Sequence, residues 1–228
     1  QELTRYVGNY EDFQKVYDEI HKEKKNATLD KSNNYEVVPS QNTISFDVKE
    51  AQSQYDACEL GGEIEIPLSV EEPEVTTEKL KSNLFTTELA SYSTTGGGSE
   101  GRRTNISLAV KSCNGVILLP GETFSYNDTL GERTADKGYQ PAGAYSDGEV
   151  VEQLGGGICQ VSSTLFAAVL HTDLEIVTRA NHSMPVSYLP MGMDATVSWG
   201  GPEFKFKNNF SYPIKISASY SGGTINFK

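Results

Sequence analysis

Apolar residues recur at helical spacing at Phe13, Val16, Tyr17 and Ile20 on an otherwise charged segment, which predicts an amphipathic helix near the start of the chain. A polar stretch from Lys24 to Asn34 leads into two short β-like runs, Tyr35–Val38 and Thr43–Phe46, and then a helical pattern from Ala51 to Cys58. Strict alternation from Glu63 to Val70 predicts one strand with a wet face, ended by the acidic, proline-containing Glu71–Glu74, which marks a domain boundary. Residues 1–80 therefore read as a small α+β unit in which reactive side chains are not concentrated.

A short helical pattern at Thr77–Leu80 precedes a second domain, expected over residues 83–228. The run Phe85–Ser93 predicts its first strand, Gly96–Gly101 a flexible linker, Asn105–Ser112 a helix and Val116–Leu119 a buried strand before a turn at Pro120-Gly121. From Tyr126 to Glu152 the chain is rich in Gly, Asp and Tyr and reads as a long irregular stretch, a type of segment that is usually functional or mobile. The fold class is α+β: the small N-terminal unit, then a mixed α/β domain whose central helix packs on an antiparallel sheet.

That central helix carries the chemistry. Three glycines, Gly155–Gly157, free the backbone for a close approach, and Val161, Leu165, Ala168 and Val169 then fall on one helical stripe, so Cys159 opens a helix. Unpaired amide N–H groups and the positive end of the helix dipole stabilise a thiolate at such a position, and the same N–H groups suit an oxyanion. A thiolate doing acyl transfer needs a base and a proton donor. His182, at the end of the β-rich segment Leu174–His182, is the candidate, with Asp194 in the turn-to-strand segment Met193–Trp199 to orient the imidazole. The order Cys, His, acid also occurs in papain-like and transglutaminase-like enzymes, and Gln153, six residues before Cys159, has the spacing of a papain-type oxyanion glutamine. Gly156, Gly157, Gln160, Arg179 and Ser183 complete the set of residues expected to contact substrate or oxyanion, with pairing to an acid as the other reading of Arg179.

Composition narrows the partner. A net charge of −12 over 228 residues disfavours nucleic acid or an anionic membrane surface. No apolar run reaches the roughly 20 residues that span a bilayer and the N-terminus has no signal-peptide pattern, so any export signal or membrane anchor is expected to have been removed or never to have existed, and a membrane is reached only through an anchor missing from this chain. Cys58, Cys113 and Cys159 are widely spaced and odd in number, which leaves at least one free thiol and gives no paired zinc ligands; Cys58 and Cys113 read as small buried hydrophobes. No metal or cofactor is implied.

Gly155–Leu170, together with Pro120–Asn127, Arg179–Val186, Asp194–Val197 and Phe204–Asn209, resembles the VanW family. The first 80 residues resemble the tail of the peptidoglycan-binding domain that often precedes VanW domains in Gram-positive surface proteins. The resemblance implies an extracytoplasmic, wall-facing protein acting on peptidoglycan stem peptides as an L,D-transpeptidase, with Cys159 forming a thioester and 3-3 cross-links as product. Two alternatives remain open from the residues: a stem-peptide-binding module without catalysis, and a cysteine endopeptidase of the wall.

Overall fold

A computed structural model of the chain describes residues 1–146 and 149–228. Helix and strand each make up 27% of it, so neither dominates and the fold is α+β. The chain divides into two compact units, Gln1–Asn83 and Leu84–Lys228. No helix among the described residues is long and apolar enough to cross a membrane.

The first unit runs β1 (Glu2–Tyr6), α1 (Phe13–Ile20), β2 (Thr28–Asp30), β3 (Glu36–Val38), β4 (Thr43–Ser45), α2 (Val48–Ala57), β5 (Glu63–Pro67), β6 (Ser69–Glu71) and α3 (Thr77–Asn83). Asp12 caps α1 by accepting from the Gln14 N–H, and the predicted stripe delivers Phe13 and Val16 to a core shared with Phe46, Tyr55 and Ile66. The single strand expected over Glu63–Val70 is two: β5 pairs with β1 and β6 with β4. Pro67 ends the first ladder because it has no N–H to donate, and the chain changes partner there.

The second unit runs β7 (Tyr92–Thr95), α4 (Glu100–Cys113), β8 (Ile117–Leu118), β9 (Thr123–Ser125), α5 (Tyr126–Leu130), a 3-10 turn at Ala135–Lys137, β10 (Pro141–Ser146), β11 (Glu149–Leu154), α6 (Ile158–Val169), β12 (Glu175–Thr178), β13 (Lys205–Lys207), β14 (Ile214–Lys215), β15 (Ala218–Ser221) and β16 (Thr224–Phe227). Helix α6 is the centre. All its residues but Cys159 are buried, and it packs on α4 and on the antiparallel sheet β15-β16-β7. A second antiparallel sheet, β12-β13-β9, stacks Phe124 on Phe206 with ring centres 5.1 Å apart.

Several sequence expectations need correcting in this unit. Phe85–Ser93 is not a strand: Phe85 takes a positive φ of 55°, most of the segment is exposed, and pairing begins only at Tyr92. The linker expected over Gly96–Gly101 ends early, because the Ser99 hydroxyl accepts from the Arg102 N–H and starts α4 at Glu100. Tyr126–Glu152 is largely ordered, with α5 and the hairpin β10-β11 in it; Asp147 and Gly148 lie outside the described residues. Leu174–His182 is strand only over Glu175–Thr178, and Met193–Trp199 forms no ladder. The latter two segments are instead tied to each other and to α6 by side chains.

Candidate active site

The turn before α6 is fixed from outside. Asn105 of α4, fully buried, donates to the Gly156 carbonyl at 3.0 Å and the Gln140 carbonyl at 2.9 Å and accepts from the Gln140 N–H at 2.8 Å. Gly156 runs so close to β10 that a Cβ there would lie 2.2 Å from the Ala142 carbonyl oxygen. Gly157, with φ of 107°, is the N-cap residue, and Cys159 is the second residue of the helix. Its half-buried sulfur lies 3.3 Å from the Val197 carbonyl oxygen and 3.7 Å from the Thr196 hydroxyl.

Positions i, i+3 and i+4 of a helix share a face, so Cys159, Ser162 and Ser163 point the same way. The two serines clamp the segment that passes the cysteine. Ser162 donates to the Ala195 carbonyl at 2.7 Å, and the Ala195 N–H donates to Ser163 at 3.0 Å. The Thr196 N–H in turn donates to the Ala180 carbonyl at 2.8 Å, which joins 194–197 to 179–182.

This brings Cys159, His182 and Asp194 together. One carboxylate oxygen of Asp194 accepts from the His182 backbone N–H and from its Nδ1, both at 2.7 Å. The other accepts from Arg179 Nη2 at 2.9 Å, while Arg179 Nε donates to the Asp194 carbonyl at 2.7 Å and its guanidinium lies over the Phe166 ring. With Nδ1 committed, the other ring nitrogen of His182 is the one left to exchange a proton with Cys159, whose ionisation and that of the imidazole shift each other. His182 and Asp194 side chains are only 8% and 10% exposed, so these charges are poorly screened.

The ionisation of the three is coupled accordingly. Burial disfavours the Cys159 thiolate, but the His182 imidazole, helped by the Thr196 hydroxyl, outweighs it and holds the thiol below its ordinary 9.0. Burial likewise opposes the His182 imidazolium, and Cys159 and Asp194 outweigh it, raising that pKa above 6.5. Burial of Asp194 is overcome by its bonds to His182 and by the charges of His182 and Arg179, so its carboxyl stays below 3.8. All three shifts favour a thiolate–imidazolium pair. Cys113 differs: burial alone pushes its thiol up to about 12, which makes it inert.

The remaining predicted residues separate. Gly156 and Gly157 form the turn, and Arg179 is engaged with Asp194. Gln160 is 2% exposed and faces β7, donating to the Thr95 carbonyl at 2.7 Å. Gln153 lies exposed on β11 opposite Ala142, with no hydrogen bond to Cys159, His182 or Asp194 among the described residues, and Ser183 is exposed beside His182. Sequence reasoning missed four contributors. Asn105 and Arg102 sit on α4, Thr196 contacts the sulfur, and Tyr188 is a half-buried phenol whose pKa is raised by burial, with Ser163 opposing that shift and Cys159 and Arg102 close enough to act on it. Ser162-Ser163-Thr164 on an otherwise apolar helix was the available signal, since buried hydroxyls need partners.

A family model described as VanW like protein matches residues 101–228, which takes in α4 from its second residue, α6, and Cys159, His182 and Asp194. The chain belongs to the VanW family. It is 46% identical to the uncharacterized protein YoaR of Bacillus subtilis (strain 168) over 163 residues, 71% of this chain and 54% of the relative. It is 35% identical to the vancomycin B-type resistance protein VanW of Enterococcus faecalis (strain ATCC 700802 / V583) over 142 residues, 58% of this chain and 52% of the relative. The chain thus spans about half the length of the curated relatives it matches. No solved structure matches it.

Proposed function

We propose that the VanW domain is a cysteine acyltransferase of the cell wall, an L,D-transpeptidase that joins peptidoglycan stem peptides by 3-3 cross-links. The observation that carries this reading is the relay from Asp194 through His182 to Cys159 at the mouth of a helix, with a lowered thiol pKa and a raised imidazole pKa. The resistance protein's name, which concerns a wall-directed antibiotic, supports a wall substrate. In this reading the protein works outside the membrane, and the first unit is part of a peptidoglycan-binding module.

The Cys159 thiolate attacks the carbonyl carbon of the third stem residue, forming a C–S bond and moving charge to the carbonyl oxygen. The Ile158 and Gln160 N–H groups are occupied by the Gly155 and Gly157 carbonyls, whereas the Cys159 N–H has no backbone acceptor among the described residues and is the natural oxyanion donor. Collapse breaks the amide bond. The departing terminal D-residue takes the imidazolium proton of His182 on its amine, leaving a thioester. The amine of a second stem then adds to the thioester carbonyl, His182 accepts its proton, and the thiolate departs as the new amide forms. His182 needs Asp194 to keep Nδ1 occupied and its other nitrogen aimed at the sulfur throughout.

Mass spectrometry of purified muropeptides incubated with the wild-type protein and with Cys159→Ala tests this. Cross-linked dimers are expected with the wild type alone. Dimers in both samples would refute a role for the thiol, and shortened stems without dimers would identify a peptidase instead.

A further inference from the structure

We infer that Arg102 is a carboxylate-binding residue beside Cys159, which reads the free C-terminal carboxylate of the donor stem. This rests on the acyl-transfer reading above, and it goes further by naming which end of the substrate the site recognises.

The arginine is held as if by design for a ligand and not for an internal acid. Its Nη2 donates to Gln160 Oε1 at 2.8 Å, and the buried Gln160 amide is oriented for this by donating from Nε2 to the Thr95 carbonyl at 2.7 Å and the Thr94 hydroxyl at 3.2 Å. A buried glutamine thus fixes the plane of the guanidinium, which leaves the rest of the fork for a planar, bidentate acceptor. The chain has 31 acidic residues against 19 Lys and Arg, yet among the described residues no carboxylate pairs with Arg102.

Two glycines make room for the side chain. A Cβ on Gly98 would lie 2.8 Å from Arg102 Cδ, and one on Gly157 would lie 2.9 Å from Arg102 Cγ and 3.2 Å from Nη1. The guanidinium therefore crosses the N-cap of α6, two residues before the nucleophile, and it acts on the Tyr188 hydroxyl together with Cys159. In a stem whose last residue is the leaving group, only a nitrogen and one Cα separate the scissile carbonyl from the terminal carboxylate. A cation lying against the N-cap of α6 is placed to meet that carboxylate when the carbonyl meets the thiolate. The consequence is exo-specificity: stems that end at the leaving residue are used, and stems amidated or extended there are not.

The test reads the site without turnover, so its failure is separable from failure of the transpeptidase reading. Cys159 is alkylated in the native protein with anionic iodoacetate and with neutral iodoacetamide, and the ratio of the two rates is followed by peptide mass spectrometry. Removing one nearby cation should lower that ratio about fivefold in Arg102→Gln, with Arg102→Lys in between. In the wild type, N-acetyl-D-alanine should slow iodoacetamide labelling of Cys159 while N-acetyl-D-alaninamide should not, which keeps the idea falsifiable if the variants fail to fold. An unchanged ratio in folded Arg102→Gln, or equal effects of the acid and the amide, would overturn it.

Discussion

Replacing Asp194 with Asn removes a charge from a buried position while leaving its volume intact. Its carboxylate accepts two N–H groups of His182 at 2.7 Å and one of Arg179 at 2.9 Å. A hydrogen bond to a charged group contributes about 1.5–3 kcal/mol, and losing one side of a buried pair costs about 3–5 kcal/mol. Asn keeps one acceptor, so a loss of roughly 2–4 kcal/mol is expected. The pH dependence is the sharper part. Asp194 ionises below its ordinary 3.8, so its contribution is present above that pH and is lost as pH falls through the lowered native value. His182 holds its proton above its ordinary 6.5, so its contribution is full below that pH and is lost as pH rises through the raised native value. The wild-type advantage should therefore peak between pH 3.8 and 6.5 and decline on both sides. Urea unfolding followed by fluorescence of Trp199, the sole tryptophan, reports on the second unit specifically. A difference below about 0.5 kcal/mol, or one that is flat with pH, would refute the coupled arrangement.

Two further substitutions probe the same turn of chain. His182→Gln should raise the apparent pKa of Cys159 alkylation by iodoacetamide towards 9.0 and slow labelling at neutral pH by about tenfold or more; an unmoved profile would mean that the imidazole does not set the thiol. Gly156→Ala places a Cβ 2.2 Å from the Ala142 carbonyl oxygen, so the hairpin or the helix start must move, and a loss of at least about 3 kcal/mol in urea unfolding is expected.

What could be read from the sequence divides by the range of the interaction involved. The stripe of Phe13, Val16, Tyr17 and Ile20 is a local pattern, and α1 spans Phe13–Ile20 as it predicts. Glycines followed by an apolar helix are equally local, and α6 starts where they end. The hairpin β10-β11 was hidden because its strands mix Gly, Pro and Tyr with polar residues and become regular only by pairing Pro141 with Leu154. Arg102 was hidden because the glycine run before it reads as linker, although Ser99 already closes that run with a cap. The segments bearing His182 and Asp194 read as strands from their β-branched residues, yet neither gains a strand partner at those positions. Side-chain bonds from Ser162 and Ser163 replace the ladder, and no periodicity in sequence reports such bonds.

Those bonds also explain why the nucleophile lies on a helix buried on nearly every side. Acyl transfer needs His182 to stay within proton-exchange distance of a sulfur on another element, and an error of about 1 Å can cost about a hundredfold in rate. Both His182 and Asp194 belong to segments without regular structure, which alone would not hold that tolerance. Cys159, Ser162 and Ser163 lie on one face of α6, so the element that carries the sulfur also fixes Ala195, and through Thr196 and Asp194 it fixes His182. The opposite face carries Gln160 and Thr164, whose bonds to Thr94 and Thr95 anchor the helix to β7. Nucleophile, base and orienting acid are thereby referred to one rigid body, and the irregular loops gain the precision of the core on which they are pinned.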